Sequence, residues 1–149
     1  MQHTKNQTKT SSTGLWLLLV GDLLVILSFV WVGRGSHSLA LTDLPAILFT
    51  ALPFAIAWLG VMPWFGIYRS EIALQRGKLL PRLLGGWLLA GLLAQVLRTF
   101  FLGRDLATGI MPTFALISMV YIGLVALLWR LAYIWWVQRQ AGAPGGARS

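Results

Sequence analysis

The stretch GLWLLLVGDLLVILSFVWVG, at residues 14–33, decides the fold of this chain. It contains a single charged side chain, that of Asp22. A helix of about 20 residues is about 30 Å long, which equals the thickness of the hydrocarbon core of a bilayer. The stretch therefore predicts a helix that spans a membrane.

Three further apolar runs follow, at residues 44–68, 79–102 and 110–137. The second run has no charged residue but contains three prolines. Pro45 suits the first turn of a helix, whereas Pro53 and Pro63 are expected to kink or interrupt it. The four runs predict an all-α fold, an integral membrane bundle of four transmembrane helices.

Two polar segments are predicted to flank this transmembrane domain, which extends over residues 14–137. Residues 1–13 are rich in Thr, Gln and Asn and are predicted to be a disordered tail. Residues 138–149 are rich in Gly and are predicted to be a flexible tail. Cleavage of the first run as a signal peptide is disfavoured, because the run is too long for such a segment and holds an aspartate.

The composition excludes a soluble domain. Of the 149 residues, 57% are hydrophobic and 11% are charged. Soluble domains contain about 25% charged residues, and a small domain has too little interior to hide so many apolar side chains. The formal charge of +8 is therefore expected to serve contact with anionic lipid, and no nucleic acid partner is predicted.

Few residues could bind a metal ion or a cofactor. The chain has no cysteine, which excludes disulfides, thiol catalysis and iron–sulfur ligation. Its two histidines are far apart in the sequence, His3 in the polar tail and His37 in a loop. The four acidic residues are too few and too scattered for a carboxylate-bridged metal centre. No metal site and no cofactor are predicted.

The distribution of Lys and Arg predicts the orientation. Eight of these residues belong to the two tails and to the connection between the second and third spans: Lys5, Lys9, Arg69, Arg76, Lys78, Arg82, Arg139 and Arg148. The other side has Arg34 and Arg104, with Arg98 nearby. Positive loops stay in the cytoplasm, so both termini are predicted to be cytoplasmic in a multi-pass protein of the cell membrane.

Asp22 and Arg130 are predicted to form an ion pair inside the bilayer. Each lies seven or eight residues from the cytoplasmic end of its span, so the two side chains have a similar depth. Arg130 shares a helical face with Ala126 and Gly123, and small residues mark the packed face of a membrane helix. The pair is interpreted first as a clasp between the first and last spans, with a proton or ion relay as the functional alternative.

A second group of basic residues is expected at the opposite end of the bundle. Arg98 follows Gly86, Ala90 and Ala94 at intervals of four, which again indicates a packed face. A cluster of Arg34, His37, Arg98 and Arg104 is a candidate site for an anion, because guanidinium groups match carboxylates and phosphates. The alternative is that nearby aspartates and lipid phosphates neutralise these charges.

Several residues form a spaced set along the chain: Gly21, Asp22, Phe29, Gly33, Arg34, Ser36, His37, Pro53, Phe54, Trp58, Gly66, Tyr68, Arg98, Trp129 and Arg130. As a combination this set resembles a family of small prokaryotic membrane proteins, the domain of unknown function number three thousand and fifty-four. The resemblance covers about residues 15–131 and implies four transmembrane helices with no established activity. Ala57 departs from it, since a glycine is expected before Trp58.

Three functions are compatible with this sequence. The first is a small oligomeric transport or permeation protein that handles an anion or protons through its buried Asp and Arg groups. The second is a structural or assembly subunit of a larger membrane complex. The third and least favoured is an enzyme acting on lipid phosphates, for which His37 beside Arg34 and Arg98 is the sole candidate. A homo-oligomer or a partner membrane protein, together with membrane lipid, is expected in the first two cases.

Overall fold

The computed structural model describes residues 12–142, which consist of helices and the connections between them. The helices are α1 (Ser12–Ser36), α2 (Leu44–Val61), α3 (Ser70–Ala73), α4 (Arg76–Phe101), α5 (Leu106–Gly109) and α6 (Pro112–Gly142). The predicted tails lie mostly outside the described residues. The parts of them inside that range, residues 12–13 and 138–142, are helical.

Four of the helices, α1, α2, α4 and α6, are long and apolar enough to cross a membrane. Only 22–39% of the most apolar window of each is buried, so most of their large apolar side chains point outwards. Such a surface suits lipid and not water. The prediction of an all-α chain with four membrane-spanning helices is confirmed, and the chain is a multi-pass membrane protein.

The four spans pack as an antiparallel bundle. Helix α1 contacts α2 and α6, and α4 contacts the same two helices from the other side. Rings from three of the spans meet in the core, where the centroid of Phe29 lies 5.5 Å from that of Phe54 and 5.9 Å from that of Phe114. These contacts and the short connections bring the start of α1 and the end of α6 to the same end of the bundle.

Helix α2 ends at Val61, seven residues before the end of the predicted run. Pro53 is retained inside the helix, but after Met62 the chain makes a series of tight turns. The amide of Gly66 donates to the carbonyl of Pro63 at 2.9 Å, and Gly66 has a φ of +67°. Glycine adopts this left-handed conformation without steric cost, so the pair Pro63 and Gly66 terminates the span.

Glycines allow two tryptophans to pack directly against neighbouring helices. A Cβ atom on Gly21 of α1 would lie 2.2 Å from the indole of Trp129 in α6. A Cβ atom on Gly123 of α6 would lie 2.5 Å from the indole of Trp87 in α4. Membrane helices usually pack by close approach at small residues, and here this brings both α1 and α4 into close contact with α6.

The close contact at Gly21 predicts the effect of a single methyl group. Gly21→Ala is expected to lower the free energy of unfolding by about 2 kcal/mol, because Trp129 has to move. Gly33→Ala is the matched control in the same helix, since no atom lies within 4 Å of its Cβ position. Unfolding by SDS titration in mixed micelles measures both variants. Equal stability of the two would show that Trp129 does not pack on Gly21 as described.

Candidate functional site

Two charged side chains lie in the interior of the bundle. Asp22 of α1 is 1% exposed, and Arg130 of α6 is 0% exposed. Oδ2 of Asp22 accepts a short hydrogen bond from Nη2 of Arg130, and the two groups form an ion pair. Antiparallel packing of α1 against α6 brings them to the same level, since each lies about three turns from the end of its helix at the same end of the bundle.

Two further donors reach the same carboxylate oxygen. The hydroxyl of Tyr68 donates to Oδ2 of Asp22 at 2.6 Å, and the indole N–H of Trp58 lies 3.3 Å from that oxygen. The Trp58 N–H also lies 3.0 Å from the Tyr68 hydroxyl. Asp22 is therefore held by side chains from α6, from α2 and from the turn after α2.

The turn after α2 also binds the guanidinium. Nη1 of Arg130 donates to the backbone carbonyl of Ile67 at 3.1 Å, and its guanidinium carbon lies 5.0 Å from the centre of the Tyr68 ring. Ile67 is fully buried, so non-helical backbone enters the protein interior here. Such backbone is tolerated at membrane depth only where protein groups satisfy it, and Arg130 does so.

The network leaves two polar atoms without partners. Oδ1 of Asp22 and Nε of Arg130 are buried and have no hydrogen-bond partner in the described part of the chain. A buried ion pair offsets its desolvation only when its remaining polar atoms are also satisfied. The pair therefore has one acceptor and one donor free to bind a proton, a water molecule or a small ion.

Tyr68 is held in its protonated form. Burial raises the pKa of its hydroxyl well above the usual value of a tyrosine, and the negative charge of Asp22 raises it further. A neutral hydroxyl is the form that donates a hydrogen bond to a carboxylate. Tyr68 thus acts as a fixed donor to Asp22 over the physiological pH range.

The four residues of the predicted anion cluster have separate surroundings. Arg34 donates to the carbonyl of Ala40 through Nε at 3.1 Å and through Nη2 at 2.8 Å. Its Nη2 also lies 3.7 Å from a carboxylate oxygen of Asp43, which caps the N-terminus of α2. The side chain of Arg34 is thus occupied by its own loop, and that of His37 is exposed.

The other two members lie near the end of α4. Arg98 is partly buried, and its guanidinium carbon is 4.0 Å from the centre of the Phe114 ring. Arg104 is exposed in the connection that follows, close enough for its charge to act on Arg98. The backbone amide of His37 donates to the carbonyl of Arg34 at 3.2 Å. No side-chain hydrogen bond or ion pair joins any two of the four within residues 12–142, so a shared site for one anion stays a prediction.

Sequence reasoning missed the parts that Trp58, Ile67 and Tyr68 play in the buried network. The apolar run at residues 44–68 predicts Tyr68 at the end of the second span, whereas the structure places it in the turn after α2, beside Asp22. The signal that points to its true position is Gly66 shortly after Pro63, a pair typical of a turn that reverses the chain. Metal binding has no support in residues 12–142, where no three His, Asp or Glu side chains are grouped.

One known protein family is similar to this chain over most of its length. The model of one family, described as a protein of unknown function (DUF3054), matches residues 19–133. The chain belongs to this family. No curated protein and no solved structure is similar to it. The DUF3054 match confirms the family resemblance and includes Asp22, Trp58, Tyr68, Arg98 and Arg130 within its bounds.

The hydrogen bond from Tyr68 predicts a specific loss of stability. Tyr68→Phe keeps the ring beside Arg130 but removes the donor, so the free energy of unfolding is expected to fall by about 2 kcal/mol. Tyr133→Phe is the control, because the ring of Tyr133 is buried and packs on Trp129 and Trp136. Unfolding in mixed micelles compares the two, and an equal effect would argue against the Tyr68 bond.

The buried ion pair predicts strong coupling between its two members. Asp22→Asn or Arg130→Gln alone leaves one charge unpaired, and each is expected to destabilise the protein by about 3 kcal/mol. The double variant leaves no charge, so its loss should be well below the sum of the two. Additive losses in a double-mutant cycle, or full stability of both single variants, would exclude the pair as a clasp.

Proposed function

We propose that this protein is a small oligomeric permeation protein that moves an anion together with a proton, and that both engage the Asp22–Arg130 pair. The observation that carries the proposal is that this pair is fully buried but incompletely satisfied. Oδ1 of Asp22 and Nε of Arg130 have no hydrogen-bond partner among the described residues. Ionisable residues inside a membrane are costly and mark ion or proton pathways by default.

The chemistry of the pair supplies a coupling between the two ions. A proton that binds the carboxylate of Asp22 removes the negative charge that neutralises Arg130. The guanidinium then takes the incoming anion as its counter-ion, so the charge of the occupied site is unchanged. Entry of a proton and an anion together avoids the large cost of moving a net charge into a low-dielectric interior.

A surface groove supports access to this site from the end of the bundle where α1 begins and α6 ends. The groove has a volume of about 470 Å³ and is lined by Leu15, Trp16, Leu19, Leu59, Pro63 and Tyr68. Tyr68 is the one lining residue that also contacts Asp22. Interrupted helices frequently form the sites of membrane transporters, and the break after α2 contributes both Tyr68 and the Ile67 carbonyl.

A second copy of the chain is part of the proposal. A cavity inside the bundle, beside Gln95 and Ser118, has a volume of about 20 Å³. This is room for about one water molecule, so this cavity is too small to form an aqueous path through the bundle. We propose a homo-oligomer in the cell membrane, with both termini in the cytoplasm because most basic residues lie at that end.

An assembly subunit of a larger membrane complex is the second candidate. The tight interior favours it, since a structural subunit needs helix packing and no pathway. The exposed apolar surface, with Trp16, Trp31 and Trp64 each more than half exposed, is large enough to contact partner helices as well as lipid. In that case the Asp22–Arg130 pair is a clasp and has no transport role.

Flux into liposomes separates the two functions. Purified protein in liposomes with an inward proton gradient is expected to take up chloride or inorganic phosphate about tenfold faster than protein-free liposomes. The double variant Asp22→Asn with Arg130→Gln, which removes both charges together, should lose this uptake while it remains folded. Arg139→Gln is the control, because Arg139 is exposed and stacks on Trp135 far from the pair.

Two outcomes would contradict transport. Uptake by the double variant at the wild-type rate would show that the buried pair is not used. Absence of proton, halide and organic-anion flux in the wild type, together with a larger protein at fixed stoichiometry in native mass spectrometry, would favour the assembly role.

A further inference from the structure

Arg98 lies within the last turn of a membrane-spanning helix and has no counter-ion among residues 12–142. Within residues 12–142, ion pairs join Asp22 to Arg130 and Arg34 to Asp43, and neither includes Arg98. The guanidinium of Arg98 also donates no hydrogen bond to another described residue. The charged residue that acts on Arg98 is Arg104, which is also positive and does not neutralise it.

The surroundings of Arg98 form a small pocket. It has a volume of about 90 Å³ and lies between α2 and α4, with the lining residues Phe49, Thr50, Pro53, Arg98, Phe101 and Leu102. On the α6 side, the Arg98 guanidinium stacks on the Phe114 ring at 4.0 Å. Stacking fixes the plane of a guanidinium and leaves the N–H groups at its edge free to donate.

An anion from outside the chain would satisfy this arrangement. Neither Arg98 nor Arg104 is in an ion pair within residues 12–142, and a partly buried charge at the end of a span is costly unless an anion neutralises it. The fork of a guanidinium matches two oxygens of a phosphate or carboxylate. A cavity of about 10–15 Å³ holds one water molecule, so the pocket has room for several and can accept a phosphate group.

We propose that Arg98, supported by Arg104, binds a phosphate group in this pocket. Arg34 is not part of the site, because its donors already bind Ala40 and its charge faces Asp43. The phosphate belongs either to a lipid headgroup or to free inorganic phosphate. The site lies at the opposite end of the bundle from the Asp22–Arg130 pair and does not depend on the proposed transport.

Thermal unfolding of the full-length protein in delipidated neutral micelles tests this site. Phosphatidic acid is compared with diacylglycerol of the same acyl chains, and inorganic phosphate with chloride at equal ionic strength. We expect phosphatidic acid or inorganic phosphate to raise the Tm of the wild type by several degrees. Arg98→Gln should weaken the apparent affinity about tenfold or more, since it removes a charge-assisted bidentate contact.

Arg139→Gln is the matched control, because Arg139 also stacks on an aromatic ring, with its guanidinium carbon 4.1 Å from the centre of Trp135. It should retain the wild-type response. A rise with phosphatidic acid alone assigns the site to a lipid headgroup, and a rise with inorganic phosphate assigns it to the free anion.

The proposal is overturned if neither compound raises the Tm of the wild type, or if Arg98→Gln responds as the wild type does. If Arg98→Gln does not fold, Arg98→Lys keeps the charge but loses the fork. A response of Arg98→Lys equal to that of the wild type would equally exclude the bidentate site.

Discussion

The pairing of Asp22 with Arg130 fixes the relative depth of α1 and α6, and the other contacts of the bundle follow from that alignment. With these two side chains at the same level, Trp129 meets Gly21, and the hydroxyl of Ser28 lies 3.3 Å from that of Tyr121. A shift of one turn along either helix would bury both charges against apolar side chains. In a bilayer, where burial of apolar surface gives helices little reason to associate, such polar contacts set the register.

The break in α2 extends this constraint to the rest of the fold. Because the span ends at Val61, the next residues turn back and bring the Ile67 carbonyl and the Tyr68 hydroxyl to the charged pair. The same turn packs against the first half of α4, where a Cβ on Gly86 would lie 3.0 Å from Met62 and Phe65. One short segment thus links the polar centre of α1 and α6 to the α2–α4 half of the bundle.

The sequence alone predicts the features that depend on the depth of a residue in the membrane and on the helical face that it occupies. Four apolar runs give four spans, and the burial of Ala126 and Ala94 matches the small-residue faces that placed Arg130 and Arg98 inward. The turn at residues 62–69 was not predictable in the same way, because an apolar run shows where a chain can stay in lipid but not where its helix ends. Hydropathy alone therefore extended α2 to Tyr68.

The contacts of the basic residues at the opposite end of the bundle could not be predicted from the sequence, for a different reason. Arg34 and Arg98 have the same charge and a similar depth, so a count of charges treats them alike. What separates them is local geometry: a loop that folds back places the Ala40 carbonyl within reach of Arg34, whereas Arg98 meets the ring of Phe114. Which partner such a side chain contacts depends on the conformation of the loop, and this choice leaves no periodic pattern in the sequence.

The separation of Asp22 from Arg130 along the chain has a consequence for how the protein is made. The two residues are 108 positions apart, with Asp22 in the first span and Arg130 in the last. Synthesis proceeds at about 5–20 residues per second, so the interval between them is about 5–20 s. During that time α1 lies in the membrane with a carboxyl group that has no basic partner. The contact between Asp22 and Arg130 therefore forms only after the last span has been inserted, and the register of α1 against α6 is set at the end of assembly.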